Sequence, residues 1–143
     1  MTVPNFSNQQ LAGQRLMVGF NGTDLNTDLK FLIDRVKVGG LILFARNLAT
    51  PDQITDLCRA AQDYAEMCGQ PPLFIAVDQE GGQVARLTEP FTQFSGNPSM
   101  KHEEDAVYFA EVTAAELKRV GINMNMAPNS TAFVSLPLTM GLI

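Results

Sequence analysis

The residues best suited to chemistry lie in the segment DQEGGQVARL, residues 78–87, which directly follows the apolar run LFIAV at residues 73–77. Asp78 therefore stands where a buried parallel strand would end, and in α/β proteins ligands bind at that end of the strands. Two acids and an arginine beside a core are costly unless the loop binds something polar. We expect the binding chemistry of this chain to lie here.

Strand and helix signals alternate around this segment. Apolar runs and one alternating stretch predict four strands, at residues 16–20, 40–44, 73–77 and 122–126. Helical spacing predicts intervening helices over about residues 27–38, 50–68 and 103–120, with Gly39, Gly69 and Gly121 as their stops. The clearest start is at Thr50, which precedes a proline at the first helical position and Gln53 at the third. This order implies right-handed crossovers and a parallel sheet, so the fold class is α/β.

Composition narrows the class of protein. The chain has 143 residues, 45% of them hydrophobic and 17% charged, and a net charge of -5, which fits one globular domain. It has no basic cluster to bind nucleic acid, and no apolar run reaches the roughly 20 residues of a membrane span. The N-terminus lacks the basic and apolar regions of a secretory signal. We therefore expect a cytoplasmic protein with neither nucleic acid nor membrane as partner.

The two cysteines, Cys58 and Cys68, lie ten residues apart in one predicted helix, which puts their Cα atoms about 15 Å apart, beyond disulfide reach. We interpret them as packing residues. No spacing of cysteine, histidine or acidic residues indicates a metal site.

Five segments resemble glycoside hydrolase family 3, in the order and spacing of that family. They are LAGQRLMVGF (11–20), GGLILFARN (39–47), IAVDQEGGQVARL (75–87), PFTQF (90–94) and GINMNMAP (121–128). Within the family the chain looks most like the bacterial cytoplasmic β-N-acetylhexosaminidases of peptidoglycan recycling. The resemblance implies that residues 1–128 are the N-terminal part of a TIM-type (β/α)8 barrel, about its first four β/α units.

The resemblance also implies roles for two residues of the loop. Asp78 matches a family aspartate that hydrogen-bonds sugar hydroxyls, and Arg86 matches a substrate-binding arginine. The alternative is that Asp78 and Arg86 merely pair to order the loop. We expect Glu80 to be a structural partner of Arg86 or of a backbone amide, and Gly81 and Gly82 to allow a tight turn and leave room for a pyranose ring.

Other candidate residues are weaker. Arg46 and Asn47 follow the second strand and so face the ligand end, but a polar strand exit is common. His102 with Lys101 superficially matches a lysine-histidine pair of the family, yet acidic residues follow it here, as suits the first turn of a helix. Asn129, Ser130 and Thr131 form a glycosylation acceptor that we expect to be idle.

The chain departs from the family after Pro128. Residues 129–143 form a divergent, uncharged tail, and we expect a truncated reading frame, a frameshifted tail or an incomplete gene fragment, with a deliberately short protein as the alternative. The resemblance implies retaining hydrolysis, which needs no metal or organic cofactor. The family's aspartate nucleophile and histidine general acid would lie beyond residue 143, so no catalytic residue is assigned.

Two functions from different classes follow. The first is the N-terminal fragment of a retaining β-N-acetylhexosaminidase that acts on terminal N-acetylglucosamine of peptidoglycan-derived saccharides and is inactive alone. The second is a non-catalytic α/β interaction module whose exposed sheet edges self-associate or complement a separate C-terminal half. A nucleotide-binding sheet is disfavoured because no phosphate loop or G-x-G-x-x-G turn follows a strand.

Overall fold

The computed structural model describes residues 6–127, in which helices alternate with the strands of a sheet. The helices are α1 (Asn8–Gly13), α2 (Thr27–Phe31, continued by a π-helical turn at Leu32–Val36), α3 (Pro51–Met67) and α4 (Glu103–Arg119). The strands are β1 (Met17–Val18), β2 (Gly40–Leu43), β3 (Phe74–Val77), β4 (Gln79–Gly81), β5 (Val84–Ala85) and β6 (Met124–Asn125). Short 3-10 turns lie at Ala45–Asn47 and Asn97–Ser99.

Four strands form one parallel sheet in the order β1-β2-β3-β6. The central pair runs in register from Gly40 opposite Phe74 to Leu43 opposite Val77. Helix α2 connects β1 to β2, α3 connects β2 to β3, and α4 precedes β6. The predicted α/β class with a parallel sheet is confirmed, although β1 and β6 are shorter than their apolar segments suggested.

The start of α3 follows the predicted capping residue, and α1 begins with a capping box. Thr50 Oγ1 accepts a hydrogen bond from Gln53 N at 3.2 Å, and Pro51 opens α3. Ser7 and Gln10 bond each other reciprocally at the start of α1, at 3.2 Å and 3.1 Å. Within residues 6–127, no helix is both long and apolar enough to cross a membrane.

The end of α2 differs from the prediction. Its π-helical turn ends at Val36, and the next residue, Lys37, takes the left-handed conformation with φ 62°. Gly39 therefore is not the helix stop. A β-carbon at Gly39 would lie 2.2 Å from Gln14 O, so glycine is required there because the chain after α1 passes against it.

One face of the sheet packs against the helices. Leu41 and Leu43 of β2 and Ile75 and Val77 of β3 are at most 1% exposed, and they join the core that the helices complete. The helix residues of that core include Leu29, Ile33, Ile54, Leu57, Ala61 and Leu117. Packing on this face fixes the central strands as far as Val77, after which the loop at Asp78 begins.

The cysteines are both free, as predicted. Cys58 is buried in α3, and burial raises the pKa of its thiol from 9.0 to about 12. The thiol therefore stays protonated at neutral pH and packs as a small apolar group. Cys68 is half-buried at the C-terminal end of α3.

The opposite face of the sheet, called the second face below, carries Met17, Ile42, Phe74, Ala76 and Met124. Paired residues of parallel strands point to the same side, and Phe74 pairs with Gly40 while Ala76 pairs with Met124. A β-carbon at Gly40 would lie 2.9 Å from Met17 Cε and 3.2 Å from Phe74 Cβ, which places these residues together. Phe74 is 60% exposed and Met124 37% exposed. Parallel sheets are normally covered on both faces, so this exposure is unusual.

Candidate functional site

The candidate site lies at the C-terminal edge of the parallel sheet. Asp78 directly follows β3, and an antiparallel pair, β4 with β5, projects from the same edge. The sequence did not predict this hairpin, which contains the two glycines and leads to Arg86. The predicted position of Asp78 at a buried strand end is confirmed.

Asp78 and Arg86 form an ion pair across the base of the hairpin. Arg86 Nη2 lies 3.5 Å from Asp78 Oδ2, and the side chains are 32% and 25% exposed, respectively. This distance is longer than the 2.7–2.9 Å of a tight charge-assisted hydrogen bond. Arg86 Nε is buried and has no hydrogen-bond partner among the described residues. The pairing of the two side chains is thus observed. Sugar contact by either residue stays a prediction.

Glycines 81 and 82 make the tight turn that the sequence predicted, with φ 84° and φ 60°. Gly82 N donates to Phe94 O at 2.7 Å, and a β-carbon at Gly81 would lie 2.9 Å from Gly96 N. On that side the space is filled by the backbone of residues 94–96. The glycines thus serve close packing of two backbone segments on that side, while both also line an open pocket of about 460 Å³, so the room predicted for a pyranose ring stays a prediction.

Glu80 lies in β4 and is half-buried. It lines the same open pocket as Gly81 and Gly82, together with Gln83 and Ser95. Its predicted role, as a structural partner of Arg86 or of a backbone amide, stays a prediction.

Gln79 is a residue of the site that the sequence did not single out. It is 5% exposed, and its Oε1 accepts hydrogen bonds from Arg86 N at 2.8 Å and Leu87 N at 3.0 Å. Its Nε2 donates to Leu87 O at 3.2 Å. A glutamine beside two acids carries no local signal of this role, because its partners lie seven and eight residues further along the chain.

The asparagines of the β6 region bind the backbone of β3 and its exit. Asn125 Oδ1 accepts from Gln79 N at 3.0 Å, and Asn125 Nδ2 donates to Gln79 O at 3.0 Å. Asn123 Oδ1 accepts from Ile75 N at 2.7 Å, and Asn123 Nδ2 donates to Leu73 O at 2.9 Å. Their alternation with apolar residues was visible in the sequence, but their partners were not.

Arg46 and Asn47 hold the end of β1. Asn47 is fully buried, and its amide donates to Phe20 O at 3.2 Å and Gly22 O at 2.8 Å while accepting from Phe44 N at 3.0 Å. Arg46 Nε donates to Phe20 O at 3.0 Å. These bonds give Asn47 a structural role and leave its amide little capacity for a substrate.

His102 precedes α4 and its acidic first turn, as predicted. Hydrogen bonds from His102 N and then Lys101 N hold the pKa of the Asp105 carboxyl below its ordinary value. Residues 129–131 lie outside the described part of the chain. Among residues 6–127, no group of three or more histidine, cysteine or acidic side chains is placed to hold a metal ion.

The fold and the loop are consistent with membership of a glycoside hydrolase family. Residues 9–131 match the signature of the glycosyl hydrolase family 3 N terminal domain, and the chain belongs to this family. The resemblance to glycoside hydrolase family 3 that the sequence indicated is thereby confirmed.

Its relatives by sequence are β-hexosaminidases. The chain is 39% identical to β-hexosaminidase A of Pseudoalteromonas piscicida, over 83% of this chain and 24% of that protein. It is 35% identical to the β-hexosaminidase of Pseudomonas aeruginosa, over 79% of this chain and 34% of that protein. The chain thus spans about a quarter to a third of the length of these relatives.

Solved structures that resemble this chain include members of the same family. A glycoside hydrolase family 3 β-N-acetylglucosaminidase from Paenibacillus sp. superposes with a TM-score of 0.83 at 40% identity, covering 86% of this chain and 24% of that one. NagZ from Neisseria gonorrhoeae in complex with N-trifluoroacetyl-D-glucosamine superposes with a TM-score of 0.65 at 27% identity, covering 79% and 34%. The four-stranded parallel sheet is consistent with part of a TIM-type barrel.

Proposed function

We propose that residues 1–128 are the N-terminal part of a family 3 β-N-acetylhexosaminidase barrel and supply its sugar-binding loop, with residues 129–143 as a separate tail. Asp78 and Arg86 would hold the terminal N-acetylglucosamine of a peptidoglycan-derived saccharide in the cytoplasm. The observation that carries the proposal is the partly exposed Asp78–Arg86 pair at the C-terminal edge of the sheet. The NagZ neighbour supports this ligand class, because it is in complex with an N-acylated glucosamine.

The chemistry of the pair suits sugar binding. A carboxylate can accept hydrogen bonds from two neighbouring sugar hydroxyls, and a guanidinium can donate to ring substituents. Both side chains are partly exposed, so a sugar can reach them without unfolding the loop. Such contacts orient the sugar for attack at its anomeric carbon, which contributes to the rate through positioning.

Asp78 is not proposed as the nucleophile. A retaining glycosidase needs two carboxyl groups about 5–5.5 Å apart on opposite sides of the scissile bond. Asp78 is paired with Arg86, and Glu80 lies two residues away on the same strand exit, so the two acids do not flank a substrate. We therefore propose that this chain alone binds the sugar without hydrolysing its glycosides.

Binding without turnover is directly testable. Titration of the ¹⁵N-labelled full chain with N-acetyl-D-glucosamine is expected to shift the amide signals of residues 78–87, with a dissociation constant on the order of millimolar, as for small polar ligands. A chromogenic N-acetyl-β-D-glucosaminide is expected to show no turnover above buffer. Turnover that disappears in Asp78→Ala would contradict the proposed inactivity, and unshifted signals in residues 78–87 would contradict the proposed site.

A second candidate function is association of two copies through the second face of the sheet. The described strand residues of this face are apolar and uncharged, so two copies can meet there without charge repulsion between these residues, as a two-fold interface requires. Its largest side chain, Phe74, is 60% exposed. An exposed apolar sheet face of this kind is typical of an interaction surface.

Light scattering after size exclusion tests this association. We expect the full chain to elute as a dimer and Phe74→Ser to shift it towards monomer. Phe31→Ser is the matched control, because Phe31 is 58% exposed but lies on α2, away from the second face. A monomeric full chain at all concentrations, or equal effects of both variants, would exclude a second copy as the occupant of this face.

A further inference from the structure

We propose that Gln79 is the positioning residue of the sugar-binding pair, and that its amide, rather than the ion pair with Asp78, sets where the Arg86 guanidinium lies. The inference rests on the proposed function of Asp78 and Arg86. Gln79 would not touch the sugar itself. It would instead determine the position of Arg86, which does.

The backbone of Gln79 is fixed from the sheet side. Asn125 binds both Gln79 N and Gln79 O with its side-chain amide, each at 3.0 Å. Since β6 pairs with β3 in parallel register, Asn125 is itself held beside Val77. Gln79 thus starts from a rigid point at the sheet edge, and the residue is only 5% exposed.

The side chain of Gln79 then fixes the returning strand. Its Oε1 accepts from two consecutive amides, Arg86 N and Leu87 N, and its Nε2 donates to Leu87 O. These three bonds define the backbone position of Arg86 on one side. Leu87, which is 2% exposed and part of the core, anchors the other side.

The ion pair between Asp78 and Arg86 is too long to fix the position of Arg86 in this way. Its 3.5 Å separation exceeds that of a tight charge-assisted bond, and both partners are partly exposed to solvent. Arg86 Nε makes no hydrogen bond within the described residues. The position of the guanidinium therefore depends on the backbone of Arg86, which Gln79 holds, and the side chain is exposed enough to meet an incoming ligand.

The role requires a glutamine. The side chain must accept from two amides and donate to one carbonyl, which only a neutral amide can do. Glutamate would place a carboxylate against Leu87 O with no proton to donate, and asparagine is one methylene shorter. A side chain of the same length without polar atoms, as in Gln79→Met, removes all three bonds while filling the space.

The test compares Gln79→Met with Gln62→Met. Gln62 is a matched control because its Oε1 accepts from Leu73 N and its Nε2 donates to Leu73 O, each at 2.9 Å, far from the loop. Both variants are expected to lower the urea midpoint to a similar extent. Only Gln79→Met is expected to weaken binding of N-acetyl-D-glucosamine, by about tenfold, because preorganisation of Arg86 is lost.

Hydrogen exchange supplies a readout that does not depend on the sugar. In the unsubstituted chain, the amides of Arg86 and Leu87 are expected to be protected, and in folded Gln79→Met they are expected to exchange faster while the Leu73 amide is unchanged. Unprotected Arg86 and Leu87 amides in the unsubstituted chain would overturn the inference even if the variant fails to fold. Equal sugar affinities of the two folded variants would also overturn it.

The proposed sugar-binding function and the proposed role of Gln79 can be disproved independently of each other. If the unsubstituted chain binds no sugar while exchange changes as expected, the proposed function falls and the positioning of Arg86 by Gln79 stands. If the chain binds sugar through Asp78 but Gln79→Met binds it equally well, the positioning role falls and the proposed function stands.

Discussion

Asp78→Ala is expected to weaken binding of N-acetyl-D-glucosamine by about 10- to 100-fold, because each hydrogen bond to a charged group contributes on the order of 1.5–3 kcal/mol. The substitution removes the acceptor for sugar hydroxyls and leaves the Arg86 guanidinium without its counter-charge. Stability should change by less than about 1 kcal/mol, since a partly exposed ion pair contributes little to folding. Calorimetric titration and urea unfolding measure the two effects separately.

A matched control for this substitution is Asp63→Ala. Asp63 is an exposed carboxylate on α3, so the variant makes the same change of net charge away from the loop. Its sugar affinity should equal that of the unsubstituted chain. If Asp78→Ala keeps full affinity but loses loop order, the pair would be an ordering ion pair only, which is the alternative that the sequence left open.

Gly39→Ala is expected to destabilise the chain by about 3 kcal/mol or more, at the upper end for overpacked sites. The new β-carbon would lie 2.2 Å from Gln14 O and 2.8 Å from Gln14 C, which are backbone atoms that cannot rotate away. Gly39 N is also held by bonds to Gly13 O at 3.1 Å and Leu16 O at 3.0 Å. The contact between the end of α1 and the start of β2 must therefore break or shift.

Gly69→Ala separates this clash from ordinary backbone strain. Gly69 has φ +66°, but no atom lies within 4 Å of its would-be β-carbon. Its substitution should cost only the roughly 1–2 kcal/mol of a left-handed alanine. Urea midpoints of the two variants provide the comparison, and a Gly69→Ala loss as large as that of Gly39→Ala would show that close approach is not the reason for Gly39.

The features predicted from the sequence were those encoded by neighbouring residues. The start of α3 depends on Thr50, Pro51 and Gln53 alone, and β3 depends on an uninterrupted apolar run. The position of Asp78 at the end of β3 followed from the same run. Such signals can be read locally because the interacting groups are within a few residues of each other.

The features that were missed depend on distant partners. Gly39 is required by Gln14, 25 residues earlier, so its role could not be distinguished from a helix stop, and Lys37 takes the left-handed position instead. Gly81 and Gly82 pack against residues 94–96, a close approach between backbone segments more than ten residues apart that the sequence did not indicate. Gln79 gains its role from Asn125 and Leu87, neither of which marks it in the sequence.

The two asparagines of the β6 region, Asn123 and Asn125, help to select the register in which β6 pairs with β3. Ile122, Met124 and Met126 alternate with them, so a strand displaced by two residues would keep the same apolar pattern. It would, however, place a glycine or an alanine at one of the two asparagine positions and lose two of four side-chain bonds to the β3 segment. At about 1 kcal/mol for each bond, the misaligned strand would be disfavoured by roughly 2 kcal/mol. Polar residues thus select one alignment where hydrophobicity alone would accept two.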